Sequence, residues 1–101
     1  MLLDELIEEA KKKVFTERMI TTIYEDLATI WKSLAPHLGI SQTRCDIIDE
    51  NERKVEEKGV RLVIVWMQTN GHQATVGRLV DALENIGKTA IVRKLLAEVG
   101  F

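Results

Sequence analysis

The sequence predicts an all-α fold, in which a bundle of six core helices follows an N-terminal helical extension. Apolar residues recur at helical spacing along most of the chain, and its 101 residues contain only one proline. With 46% hydrophobic residues, the chain has room for one compact domain. Four of the six glycines lie where periodic segments stop, and we expect them to be left-handed helix caps: Gly39, Gly71, Gly87 and Gly100.

The first helical segment forms the extension, which we place at residues 1–16. Its apolar positions recur at helical spacing from Leu3 to Val14. Acidic residues come early and Lys11 to Lys13 come late, an order that suits the helix dipole. The segment could be a linker, the last helix of a preceding domain or a self-association helix.

The second apolar segment runs from Ile20 to Leu38 and ends at Gly39. We expect a break near Thr29, because threonine is an N-cap residue. Pro36 should strain the later half, because proline removes one internal hydrogen bond.

Ser41 is the predicted N-cap of the next helix, with Ile40 placed to pack against Cys45 as a hydrophobic staple. Cys45 and Ile48 should therefore point inward. We interpret Cys45 as a small core residue and assign it no chemical role.

The segment from Val55 to Thr69 can be read in two ways. Gly59 is followed by VRLVIVWM, which is nearly all apolar and reads as a buried strand by propensity alone. A strand needs a partner, and no other segment offers one. We therefore predict a helix, with tertiary packing overriding propensity.

Two amphipathic helices complete the bundle after a turn at Asn70-Gly71. The first carries an apolar stripe from Val76 to Ile86 and ends at Gly87. Thr89 is the expected cap of the last helix, whose apolar positions are Ile91, Val92, Leu95, Leu96 and Val99.

The sequence offers no catalytic constellation, so we predict a protein that is not an enzyme. Neighbouring carboxylates on a helix diverge by about 100° and do not converge on one substrate atom. No phosphate-binding glycine loop, nucleophile elbow or HExxH pattern is present. The carboxylate pairs are Asp49/Glu50 and Glu56/Glu57.

Metal, cofactor and membrane partners are not expected either. Cys45, His37 and His72 are too few soft ligands for a structural zinc site. The apolar run from Leu62 to Met67 is about a third of the ~20 residues that cross a bilayer, and no secretory signal opens the chain. The composition predicts a reducing compartment, which we take to be the cytoplasm.

A helix-turn-helix DNA-binding regulator is the alternative from a different functional class. Leu34 to Arg53 has the required outline of helix, glycine turn and serine-capped helix. From Ser41 to Arg53, however, four acidic residues face two arginines, a net charge of −2. DNA phosphates would repel such a helix, so we expect no nucleic-acid partner.

Four blocks in order resemble a death domain. They are WKSLAPHLGIS (31–41), CDIID (45–49), Trp66 ahead of NGHQATVGRLVDAL (70–83), and IGKTAIVRKLL (86–96). The resemblance covers about residues 17–100, and we place the death domain at residues 17–101. It implies a six-helix antiparallel bundle with Greek-key topology. It also implies a non-enzymatic module that binds other death-domain proteins, receptor tails or adaptors, in apoptotic or innate-immune complexes.

The resemblance also implies two partner-binding surfaces. The first lies on the second and third family helices and comprises Lys32, Arg44, Asp46, Asp49 and Glu50. Ile47, beside them, is either an exposed apolar contact or half-buried. The second lies at the start of the fourth family helix and the turn after it, and comprises Lys58, Arg61, His72 and Gln73.

Within the family, SQTRCDIID and ATVGRLVDAL are most similar to the Fas-associated adaptor type. A receptor or ankyrin-type scaffold death domain is the alternative. Homo-oligomerisation is also open, because residues 1–59 carry 13 acidic and 9 basic residues and residues 60–101 carry 3 and 5. These opposite net charges would allow head-to-tail contacts.

Overall fold

The computed structural model describes the backbone of residues 2–100 and the side chains of residues 4–99. This part of the chain contains helices and one isolated β-bridge but no strand, which confirms the all-α prediction. The helices are α1 (Leu2–Lys12), α2 (Glu17–Ile20), α3 (Tyr24–Leu34), α4 (Gln42–Asn51), α5 (Val55–Asn70), α6 (Val76–Asn85) and α7 (Thr89–Gly100). Short 3-10 segments lie at Thr21–Ile23, Ala35–Leu38 and Gly71–Gln73.

Helices α2 to α7 form the six-helix bundle, and α1 is the predicted extension. One apolar cluster fills the interior, and within residues 4–99 no polar or charged residue is buried. The buried side chains of the bundle include Trp31, Leu34, Leu38, Ile48, Trp66, Leu79, Leu83 and Leu95.

The crossing of α3 and α5 explains how the ambiguous apolar segment folds. The segment is helical from Val55 to Asn70, as predicted. A Cβ atom added at Gly59 would lie 2.7 Å from the Cβ atom of Leu27 on α3. Glycine therefore lets the two helix backbones approach closely, and burial of Leu62, Val63 and Trp66 outweighs the β-branched propensity.

The break in the second apolar segment lies at Thr21–Ile23, so the predicted break at Thr29 was wrong. Thr29 is inside α3, where its hydroxyl donates to the Asp26 carbonyl oxygen at 3.0 Å. Pro36 lies in the first turn of a 3-10 segment. Helix α3 ends at Leu34, just before this segment, and an N–H in a first turn has no partner within its own segment to lose.

Helix ends follow the predictions with two exceptions. Ser41 caps α4 by accepting a hydrogen bond from the Arg44 N–H at 3.2 Å. Gly39, Gly71 and Gly87 have positive φ angles, whereas α7 extends through Gly100. Thr89 is the first residue of α7 rather than its cap, because the N–H groups of Ile91 and Val92 donate to the carbonyl oxygen of Lys88.

The extension packs on the bundle, with α1 lying against α6 and α7. Ala10 of α1 is buried in this contact. A Cβ added at Gly77 of α6 would lie 3.1 Å from the Lys11 carbonyl oxygen. The chain then crosses to α2 through residues 13–16, where Phe15 is buried with its ring centroid 5.9 Å from that of Trp66.

Candidate protein-interaction surface

The outward side of α4 carries most of the first predicted surface. Arg44, Asp46, Ile47 and Glu50 are exposed. Ile47 is 45% exposed, so a large part of its apolar surface is open to solvent. Cys45 and Ile48 face the core, as predicted. Helical periodicity thus separates an apolar inner side of α4 from a charged outer side with one large apolar side chain.

Asp49 connects α4 to both neighbouring helices. Its Oδ1 atom accepts a hydrogen bond from Lys58 Nζ of α5 at 2.5 Å, and its Oδ2 atom lies 3.6 Å from Lys32 Nζ of α3. The hydrogen bond from Lys58, with a smaller contribution from the Lys32 charge, lowers the pKa of the Asp49 carboxyl. The Lys32 ammonium also lies 5.6 Å from the Trp31 ring centroid. Asp49 is therefore held in place by its neighbours.

A groove of about 400 Å³ separates α4 from α5. Arg44 and Ile47 line it from α4, and Arg61 and Val65 line it from α5. Arg61 Nε donates to Glu52 Oε1 at 3.3 Å, which orients the guanidinium beside the groove. The groove combines apolar and cationic groups. It therefore suits a partner segment in which an apolar side chain lies next to an acidic one.

The four residues of the second predicted surface lie at opposite ends of α5. Lys58 and Arg61 are in its first turns, where Lys58 pairs with Asp49 of α4 and Arg61 pairs with Glu52, the residue after α4. His72 and Gln73 are exposed in the 3-10 segment beyond its other end, about 20 Å away along the axis at 1.5 Å per residue. Lys58 and Arg61 thus belong spatially with the α4 residues, and His72 and Gln73 form a separate loop surface.

Sequence reasoning missed how Lys58 is used. We expected an exposed contact, but the Lys58 side chain is only 17% exposed because it pairs with Asp49. It also missed Glu52 and Val65 as groove residues. Their partners lie on a different helix nine or more positions away, so no local spacing signals these contacts.

The surroundings of Cys45 do not activate its thiol, because their net effect is to raise its pKa. Burial, and next the charge of Asp46, raise the pKa of the Cys45 thiol, although the Lys32 charge acts in the opposite direction. Within residues 4–99, no group of three or more His, Cys, Asp or Glu side chains is placed to hold a metal ion. Between residues 2 and 100, no helix combines the length and apolar character that crossing a membrane requires.

A charged outer helix with an exposed apolar side chain beside a groove is a surface suited to protein–protein contact. The death domain family matches residues 17–99, and the chain belongs to this family. Its fold is accordingly the all-α, six-helix antiparallel bundle with the Greek-key topology of that family. Death domains are non-catalytic interaction modules that bind other death-domain proteins.

Two curated proteins illustrate the relationship. The chain is 30% identical over 84 residues to human receptor-interacting serine/threonine-protein kinase 1, an alignment that covers 80% of the chain and 12% of the kinase. It is 26% identical over 85 residues to mouse THO complex subunit 1, with 84% of the chain and 13% of that protein covered. The chain thus spans about an eighth of each relative. No solved structure matches the chain.

Membership in the family favours the interaction module over the helix-turn-helix alternative. The net charge of −2 on residues 41–53 argues in the same direction. The similarity to the Fas-associated adaptor type stays a prediction.

Proposed function

We propose that this chain is an adaptor-type death domain that assembles apoptotic or innate-immune complexes in the cytoplasm. Its partners would be other death domains, those of receptor tails or adaptors. The observation that carries the proposal is the exposure of Arg44 and Ile47 on α4 next to the groove between α4 and α5.

Ile47 supplies the apolar part of the contact. At 45% exposure, the side chain has apolar surface left to bury. Binding energy concentrates in a few well-packed groups within an otherwise polar interface. We therefore assign Ile47 as the anchor and the α4–α5 groove as the place where the partner packs beside it.

Charged groups around Ile47 supply orientation. The Arg44 side chain forms no hydrogen bond or ion pair with the residues that the structure describes, so it is available to a partner carboxylate. Asp46 and Glu50 would face basic groups of the partner. Such exposed charges contribute little to folding stability, but they govern encounter rate and register.

Asp49, Lys58 and Lys32 have a different role in this proposal. Because Asp49 of α4 pairs with Lys32 of α3 and with Lys58 of α5, these residues would orient α4 rather than bind the partner directly. Loss of Asp49 would then affect stability and binding together, whereas loss of Arg44 would affect binding alone.

His72 and Gln73 form a second candidate contact, about 20 Å along α5 from Lys58. Two separate surfaces on one module would let it contact two partners at once. Contacts between unlike surfaces can build rings or filaments, and copies of this chain could form homo-oligomers in this way.

Binding to a panel of purified death domains, from receptors and from adaptors, tests the proposal. Ile47→Gln and Arg44→Glu should each weaken association about tenfold or more, equivalent to about 1.4 kcal/mol. Melting temperatures should stay close to wild type. Val55→Gln and Arg78→Glu are matched controls: Val55 is also 45% exposed, and Arg78 is exposed on α6.

Each outcome has a defined meaning. If both test variants bind as wild type does, the surface is misplaced, and His72→Ala and Gln73→Ala become the next test. If no death domain in the panel binds the wild-type chain, the proposed function is wrong. The protein should not bind duplex DNA at low salt, and binding there would support the DNA-binding alternative.

A further inference from the structure

The connection between α1 and α2 is bonded to the loop that carries His72 and Gln73. The N–H of Phe15 donates to the Ala74 carbonyl oxygen at 2.8 Å, and the N–H of Val76 donates to the Lys13 carbonyl oxygen at 2.8 Å. These two bonds form the isolated antiparallel bridge between Val14 and Thr75. We name residues 13–15 the strap, because they tie the start of α6 to the N-terminal helix.

The side chain of Lys13, at the start of the strap, contacts α7. Lys13 Nζ donates to the Val99 carbonyl oxygen in the last turns of α7 at 3.0 Å. Phe15, at the other end, is part of the core cluster. The strap therefore contacts the loop, α6 and α7 at once.

Helix α1 packs on α6 and α7 but contributes few buried side chains to the bundle. Ala10 is buried but lies outside the core cluster, while Leu6 is 48% exposed and Ile7 is half-buried. An isolated helix of 11 residues is marginal in water, so α1 depends on its contact with α6 and α7. None of the α1 side chains that the structure describes belongs to the core cluster, so displacement of α1 would remove no described residue from that cluster.

We propose that α1 and the strap form a latch that fixes the loop at residues 71–75, so that displacement of α1 loosens the surface carrying His72 and Gln73. The latch follows from the packing and the two bridge hydrogen bonds alone. Its consequence for partner binding rests on the proposed function, because His72 and Gln73 are contact residues only in that proposal.

Amide hydrogen exchange on the full chain tests the latch without any partner. Ala10→Gln places a larger polar group in the contact of α1 with the bundle, and Glu9→Gln places the same group on the solvent side. In the Ala10 variant we expect exchange at the Phe15 and Val76 amides to accelerate about tenfold or more, as for a local opening, while core amides such as that of Leu83 keep their rates. Glu9→Gln should exchange as wild type does.

Three results would overturn the proposal. Unchanged exchange at Phe15 and Val76 would show that α1 does not hold the strap. Equal acceleration at every amide would show that α1 only adds global stability. Equal effects of Ala10→Gln and Glu9→Gln would show that the buried contact of Ala10 is not the cause. If Ala10→Gln does not fold, Gly77→Ala gives the same test, because its Cβ would lie 3.1 Å from the Lys11 carbonyl oxygen. A failed binding panel with a positive exchange result would reject the proposed function and leave the latch standing.

Discussion

Lys58 Nζ of α5 lies 2.5 Å from Asp49 Oδ1 of α4, and this pair joins two helices that border the candidate interaction groove. The pair is partly screened, because the Lys58 side chain is 17% exposed and that of Asp49 is 39% exposed. The hydrogen bond holds the pKa of Asp49 below its ordinary value, which makes the contribution of the pair dependent on pH.

The first prediction concerns acid stability. A carboxyl with a lowered pKa in the folded state stabilises the protein above its unfolded pKa, about 3.9, and that contribution is lost as the pH falls through the folded value. Asp49→Asn should therefore melt below wild type at pH 7, and the gap should narrow below about pH 4. Melting curves from pH 7 to pH 3 measure it, with Glu50→Asn as the neighbouring exposed control. A gap that does not change with pH would contradict the role of this carboxylate.

The second prediction concerns the α3–α5 crossing. Alanine in place of a helical glycine ordinarily gains about 1 kcal/mol of helix propensity. At Gly59, the new Cβ would meet Leu27 at 2.7 Å, and overpacking of this kind costs about 1–3 kcal/mol. We expect Gly59→Ala to be net destabilising in urea unfolding, whereas Gln68→Ala, exposed on the same helix, should be nearly neutral. A Gly59→Ala variant more stable than wild type would show that the helices separate freely.

The third prediction concerns the aromatic pair that anchors the strap. Phe15 and Trp66 are both buried, with ring centroids 5.9 Å apart. Phe15→Ala and Trp66→Ala should each lower the free energy of unfolding by about 3–5 kcal/mol, a large fraction of what a small domain has. Val14→Ala, whose side chain is 40% exposed, is the adjacent control and should change stability by about 0.5 kcal/mol or less. Equal effects at positions 14 and 15 would contradict the burial of Phe15.

The fourth prediction concerns Cys45. The thiol is buried, and its pKa is raised by that burial and by the charge of Asp46, so little reactive thiolate forms near neutral pH. Alkylation by iodoacetamide at pH 7 should be slow in the native protein and fast in urea, as followed by mass spectrometry. Equal rates in the two conditions would show that the thiol is accessible in the fold.

The sequence allowed prediction of the features that depend on local spacing. Helical periodicity and glycine positions predicted the bundle, the Ser41 cap and the inward side of α4, and the lack of a partner strand led to the right assignment for residues 55–69. Thr29 misled because a threonine hydroxyl can bond within a helix as well as cap one.

Features that depend on distant contacts could not be predicted in the same way. Phe15 was not assigned to the core, because its partners Ala74 and Trp66 are more than 50 positions away. Lys58 was taken as exposed, because nothing local shows that Asp49 on another helix would neutralise it. The resemblance named the residue types of the contact surfaces, and only the fold shows which of them lie together.

The interior lacks buried polar and charged residues across the part of the chain whose side chains are described, and this affects how the helices find their alignment. Where a core has no hydrogen-bonding group to select one register, steric shape has to do so. Gly59 provides that shape, because only at this point can α5 lie directly against Leu27. Sliding α5 by one turn would bring Val55 or Val63 to the crossing and force the two helices apart. The absence of a side chain at Gly59 thus fixes the position of α5, the longest helix, along the axis of its crossing with α3.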